Sequence, residues 1–163
     1  MKIFVLLVSC IFSVSLASAQ LQATVVCPGF DVDILGGNIN RQVYPKSTMG
    51  EIKKTFPCFT EVVEDTTGSK CKAVFYKDKG ISFYTDRNYF EISDNFKGKL
   101  TPALMGASRS SLFQTLGYPK IKDTGWDAYQ TEYGTLVLYY NTAGKINKIQ
   151  ISSKTTEALK LCQ

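Results

Sequence analysis

The 163-residue chain contains no histidine. That absence removes Ser-His-Asp and Cys-His triads, imidazole-ligated zinc and histidine proton shuttles. Chemistry is left to carboxylates, lysine, tyrosine and cysteine. Glu61, Glu64 and Asp65 stand close together, and a carboxylate pair does acid–base work when its surroundings drive two pKa values apart. The Thr66-Thr67-Gly68-Ser69 run that follows reads as exposed loop, so these charges are expected to be solvated. Asp31-x-Asp33-x-x-Gly36 has the opening of a calcium loop, but Leu35 and Gln42 occupy the positions of an oxygen ligand and the bidentate glutamate. A turn after a short strand is expected there. Gly36-Gly37-Asn38 lacks the Lys-Ser/Thr of a phosphate loop. No catalytic residue, metal or cofactor is expected.

The reading of the cysteines depends on the leader. Lys2 precedes an apolar run over residues 3–16 and then Ala17-Ser18-Ala19, the three regions of a secretory signal peptide. Cleavage after Ala19 is expected, leaving one exported domain over 20–163. Reading Cys10 as a lipidated cysteine would leave only residues 3–9 as the apolar run before it, too short for insertion. Loss of Cys10 with the leader leaves Cys27, Cys58, Cys71 and Cys162, which in an exported chain read as two disulfides with three possible connectivities. A four-cysteine zinc site would need close pairs such as CxxC, and there are none. Cys58 follows a predicted helix and Cys71 precedes a predicted strand. The favoured pairing is therefore Cys58 with Cys71, closing a loop of about 13 residues for ~3 kcal/mol, which leaves Cys27 for Cys162.

Two stretches share one order of elements. In 47–57, Met49, Ile52 and Phe56 fall on one face of a helix capped by Ser47 or Thr48, with Glu51 as capping-box partner and Pro57 as stop. In 108–119, Leu112, Phe113 and Leu116 form the apolar face, Ser108 the cap, and Gly117 and Pro119 the end. Alternating β-branched and aromatic runs follow each: 72–76, 80–84 and 89–92, then 128–133, 135–140 and 145–151. Turn residues separate them as tight hairpins. The expected fold class is therefore α+β: two tandem helix–three-stranded antiparallel meander repeats, 47–93 and 108–152, packed into one domain with the helices on one sheet face. Residues 93–105 join the halves, and residues 155–161 are expected to form a short helix with Ala158 and Leu161 inward.

Strand alternation assigns the faces. Ile81, Phe83, Phe90, Ile92, Leu136, Leu138, Ile149 and Ile151 are expected to be buried under the helices. Ser82, Tyr84, Tyr89, Glu91, Val137, Tyr139, Lys148 and Gln150 form the opposite face, which an antiparallel sheet can leave in water. Both faces of 72–76 are apolar, and Trp126 is expected to plug the edge of the core, with a place crowning the binding face as the alternative. The lysines are scattered without a run or stripe, which argues against nucleic acid as partner. The net charge of +5 suits solubility as well as acidic partners.

Leu116-Gly117-Tyr118-Pro119, then the strands 129–133 and 134–139, then Gly144-Lys145-Ile146-Asn147-Lys148-Ile149 resemble the small exported SmpA/OmlA (BamE-type) family and its tandem relative, the β-lactamase inhibitor protein family. The resemblance covers 108–152 well and 47–93 loosely, since Phe56-Pro57 stands where the motif has L-G-x-P. It implies a non-enzymatic protein that binds another protein or serves as an accessory of the cell envelope. In the tandem family a bridge joins helix end to sheet, and Cys58 and Cys71 match its place in the first half; the second half has no such pair. The contact surface implied is the open sheet face: Tyr84, Tyr89, Glu91, Tyr139 and Lys148, with Gln130 and Glu132 nearby. The expected function is that of an exported, non-catalytic protein-binding or envelope-accessory domain, periplasmic or secreted and without a cofactor, with an inhibitor or immunity protein as its specific version. A small-ligand carrier or a carboxylate-based hydrolase is the alternative; a carrier would need an enclosed apolar pocket, a binding module an open face.

Overall fold

The computed structural model describes residues 26–64 and 71–162. The expected signal peptide over 1–19 lies outside the described residues, as does Asp65. The helix α1 spans Met49–Thr55. Thr48 caps it: its hydroxyl accepts the Glu51 N–H at 3.3 Å while the Glu51 carboxylate accepts the Thr48 N–H at 2.8 Å, the reciprocal pairing of a capping box. The Thr48 backbone N–H, and then its hydroxyl, hold the Glu51 carboxyl below its usual pKa. Ile52 and Phe56 turn into the core.

The strands form two sheets. In the small one, β1 (Asp31–Asp33) pairs antiparallel with β2 (Asn38–Ile39) and parallel with β7 (Lys99–Thr101). The large one is antiparallel throughout, in the order β3-β4-β5-β6-β11-β10-β9-β8. Its strands are β3 (Glu61–Val63), β4 (Ala73–Tyr76), β5 (Ile81–Tyr84), β6 (Tyr89–Ser93), β8 (Ile121–Lys122), β9 (Trp126–Thr131), β10 (Gly134–Tyr140) and β11 (Ile146–Ser152).

This architecture corrects the expectation of two tandem three-stranded meander repeats. Among the described residues the fold is α+β with two helices, a three-stranded sheet and one continuous eight-stranded sheet. Two physical causes stand out. Strands β3 and β8 are edge strands of three and two residues, too short to show a period. The joining segment, read as a connector, supplies β7, whose pairing with β1 closes the small sheet over sequence-distant residues.

The second helical stretch also differs. It is a 3-10 turn over Arg109–Ser111 followed by a single turn, α2 (Phe113–Leu116), and Ser108 makes no side-chain cap. Leu112 is buried, but Phe113 is exposed and packs against the exposed Tyr118 with ring centroids 4.5 Å apart and planes tilted by 55°. Residues 156–158 form a turn rather than a helix, with Ala158 exposed and Leu161 half-buried.

All eight residues assigned to the inner face are buried. They pack under α1 and the small sheet in one cluster with Phe30, Phe56, Tyr76 and Leu112. Phe30 stacks on Phe56 at 4.3 Å, and Tyr76 meets both rings edge-on. The Tyr76 hydroxyl donates to the Phe56 carbonyl at 2.6 Å, satisfying an acceptor at the helix end that packing would otherwise strand. A bulge at Asn147 explains why Ile146 and Ile149, three residues apart, share this face: register shifts so that Tyr140 opposes Ile146 while Tyr139 opposes Lys148. Gly37, at φ +61°, supports the Tyr133 ring, where a Cβ would come within 2.4 Å of a ring carbon.

The disulfides are Cys27–Cys58 and Cys71–Cys162. The expected pairs Cys58–Cys71 and Cys27–Cys162 are therefore overturned. The cause is the C-terminal segment. After β11 it crosses the outer face of the large sheet and brings Cys162 to Cys71 at the start of β4, while the extended chain before β1 brings Cys27 to the end of α1.

Candidate functional site

The inner face is sealed, so any surface able to act lies on the outer face or around the sheet edges. Register places Phe75, Ser82, Tyr84, Tyr89, Glu91, Gln150, Lys148, Val137, Tyr139, Ala128 and Trp126 on one continuous outer face. The C-terminal segment divides it. Tyr89, Val137 and Gln150 are buried, which corrects their placement on a fully open face; Tyr84, Glu91, Tyr139 and Lys148 stay partly exposed. Trp126 lies on this side too, half-buried, and not at the edge of the core.

The segment is tied down along its length. The Thr135 hydroxyl donates to the Lys154 carbonyl at 2.7 Å, and the Gln130 carboxamide oxygen accepts the Thr156 N–H at 3.2 Å. Lys120 pairs with Glu157, and that hydrogen bond above all pulls the Glu157 carboxyl down to about 2. At the far end the Cys162 N–H donates to the Tyr89 hydroxyl at 3.1 Å beside the disulfide.

On the part left bare, the predicted residues converge. Tyr84 and Tyr89 stack with centroids 4.5 Å apart and planes at 15°. The Tyr139 hydroxyl donates to Gln150 Oε1 at 2.9 Å, and Gln150 Nε2 donates to Glu91 Oε2 at 2.7 Å. Lys148 Nζ sits 3.7 Å from the same carboxylate oxygen and 4.2 Å from the centre of the Tyr139 ring. Gln150, buried beneath, orients both neighbours; strand alternation places it on this face, but nothing in the sequence marks it as the link. Gln130 and Glu132 are not part of this arrangement. Gln130 serves the segment and the β9–β10 hairpin, donating to the Gly134 carbonyl at 2.7 Å, and Glu132 is exposed in the hairpin turn.

Burial, and after it the Glu91 charge, pushes the Tyr84 phenol up to about 12. The same order of causes raises Tyr139, and burial raises Tyr89. These phenols are neutral in the folded protein, with folded values above the unfolded one near 10. Their contribution to stability is therefore intact below pH 10 and is lost as pH rises through the folded values. Alkaline titration followed by tyrosinate absorbance and far-UV circular dichroism should show tyrosine ionisation above pH 10 coupled to unfolding. Tyr84→Phe is expected to flatten the fall of stability between pH 10 and about 12; an unchanged slope would show that Tyr84 titrates as if in water.

The remaining groupings do other things. Glu61 pairs with Lys77, and Glu64 lies 3.4 Å from Lys53; both carboxylates are exposed. Asp33 accepts the Gly36 N–H at 2.9 Å within the β1–β2 turn. A carboxylate oxygen of Asp86 lies within 4.8 Å of both Cys71 and Cys162 sulfurs, but those sulfurs are bonded to each other, and a disulfide offers no thiolate to a metal. Among the described residues Asp127 is the buried carboxylate, and it is fully engaged. Arg109 Nε and Nη2 grip its two oxygens, and the Tyr140 hydroxyl donates to it at 2.7 Å. Sequence reasoning missed this cluster because Arg109 and Asp127 are 18 positions apart and neither spacing nor composition links them. Among the described residues no helix is long and apolar enough to cross a membrane.

Comparison with protein-family models, with curated proteins and with solved structures gave no match.

Proposed function

We propose that the protein is an exported, non-catalytic binding protein whose partner is another protein, met through the bare part of the outer sheet face. The observation that carries this reading is the joined surface of Tyr84, Glu91, Tyr139 and Lys148. Two partly exposed tyrosines offer area at small entropic cost, and the paired charges between them are already oriented from below by Gln150. Preorganisation of this kind lowers the cost of association. The hydrolase alternative loses its support, because the buried Asp127 already accepts three hydrogen bonds, and Glu61 and Glu64 are exposed and paired with lysines. The export signal and the resemblance to envelope proteins and tandem inhibitors favour a partner outside the cytoplasm.

Affinity capture from envelope extract and culture medium tests the reading. Wild-type protein should retain a partner that Tyr84→Ala/Tyr139→Ala loses by tenfold or more, with both proteins showing the same thermal midpoint to within a few degrees. Equal capture by the double variant would remove this face from the account.

A further inference from the structure

Where the C-terminal segment crosses the outer face it does not lie flat on the sheet. A cleft of about 430 Å³ separates them. Ala128 and Val137 form its floor on β9 and β10, Trp126 and Ile121 its sides, and Leu159 and Leu161 its cover. Trp126, Leu159 and Leu161 remain half-buried and Ile121 is 39% exposed, so apolar surface around the cleft is left unfilled by the protein's own packing.

The lining also states what belongs there. It contains no lysine, arginine, aspartate or glutamate. Beside it Lys120 is paired with Glu157 and Lys148 with Glu91, while Lys122 and Lys160, next in sequence to lining residues, are exposed and outside the lining. The polar side chains of the lining are committed: Thr156 to Gln130, and the Tyr139 hydroxyl as donor to Gln150. The Tyr139 oxygen keeps a lone pair and can accept one hydrogen bond. A charged ligand would lose its hydration and find no counter-charge, whereas an apolar one gains by burial. The volume falls in the range of sites that enclose small molecules. By contrast, the clefts at β1–β2 and at the start of α1 are lined by Asp31, Asp33, Arg41 and Lys99, and by Lys46, Glu51 and Lys54.

We propose that this cleft binds an uncharged, mainly apolar small molecule, enclosed between Trp126 on the sheet and the strap of residues 156–162. The strap is an integral wall of the site. Its anchors at Gln130 and at the Cys71–Cys162 disulfide hold Leu159 and Leu161 over the floor, so freeing Cys162 removes the cover while leaving the sheet in place. The site shares Tyr139 with the bare tyrosine face but none of Tyr84, Glu91 or Lys148, and it does not depend on the protein-binding reading.

Trp126 is the chain's one tryptophan and supplies the readout. The purified protein is titrated with N-phenylnaphthylamine, a neutral probe that accepts energy from tryptophan, and in parallel with its charged analogue anilinonaphthalene sulfonate. The expected result is saturable energy transfer from Trp126 to the neutral probe, with at least tenfold weaker binding of the anionic one. Leu159→Asp, a change on the half-exposed strap that leaves the core untouched, should weaken binding of the neutral probe tenfold or more. Ala128→Phe, which fills the floor, should do the same, and Cys71→Ser/Cys162→Ser should weaken it by loosening the cover. Phe113→Ala/Tyr118→Ala, which removes the exposed aromatic pair elsewhere, should leave it unchanged. Absence of saturable transfer in the wild type, or unchanged binding in Leu159→Asp, would overturn the proposal. So would a concentration-dependent dimer that excludes the probe, which would assign the cleft to a second copy of the chain.

Discussion

Asp127→Ala is expected to lower the unfolding free energy by about 3 kcal/mol, the low end of what breaking a buried ion pair costs. Asp127 is 2% exposed. Its two oxygens take Arg109 Nε at 2.9 Å and Arg109 Nη2, and Tyr140 adds a third hydrogen bond at 2.7 Å. Arg109 extends the grip by donating to the carbonyls of Thr124 and Asp123, at 3.2 and 2.6 Å, and its guanidinium stacks over the Tyr140 ring at 4.8 Å. The cluster thus docks the 3-10 turn at Arg109–Ser111, which has little helical content of its own, onto β9 and β10. Removal of the carboxylate leaves Arg109 Nε and the Tyr140 phenol without their acceptor, and the guanidinium keeps only the carbonyls of Thr124 and Asp123. The guanidinium side chain is 26% exposed, so water recovers part of the loss. Denaturant unfolding of Asp127→Ala, Arg109→Ala and the double variant measures the coupling directly. The double variant should be less destabilised than the sum of the single ones. Additive losses, or a cost under about 1 kcal/mol for Asp127→Ala, would show that the pair behaves as a surface salt bridge.

The second large effect is expected on removing the Cys71–Cys162 bridge. It spans 91 residues, against 31 for Cys27–Cys58. By the chain-entropy relation these correspond to about 4.6 and about 3.7 kcal/mol. Cys71→Ser/Cys162→Ser also frees the end of the strap, so Tyr89 loses the Cys162 N–H and part of its cover. The variant should unfold at markedly lower denaturant, and hydrogen exchange should quicken in 156–162 before it does in β10 and β11. Thermal and chemical unfolding of this variant beside Cys27→Ser/Cys58→Ser checks the order. A larger loss from the Cys27–Cys58 pair would contradict it.

Local periodicity in this chain was a good guide, and long-range pairing was not. Alternation placed Ile81, Phe83, Leu136 and Ile149 on the core face because strands of four to seven residues carry a readable period. The Thr48–Glu51 capping box was legible because its partners are three residues apart. The disulfide pairing is not legible from neighbouring elements, because it follows the path of the C-terminal segment over the sheet. Strands β3, β8 and β2 have three, two and two residues and exist only through their partners. Of the candidate surface, Tyr84, Glu91, Tyr139 and Lys148 could be grouped from strand register. Gln130 could not be separated from them, because its role depends on Thr156, 26 residues away. Burial of Tyr89 and Val137 likewise depends on a strap that composition does not announce.

The proposed partner surface is the bare outer face. Hydroxyl-radical footprinting of the captured complex against the free protein tests it most directly, since oxidation reports on individual tyrosine and phenylalanine side chains. Tyr84 and Tyr139 should become protected in the complex while the exposed Phe113 and Tyr118 keep their reactivity. Protection at Phe113 and Tyr118 with none at Tyr84 and Tyr139 would contradict it.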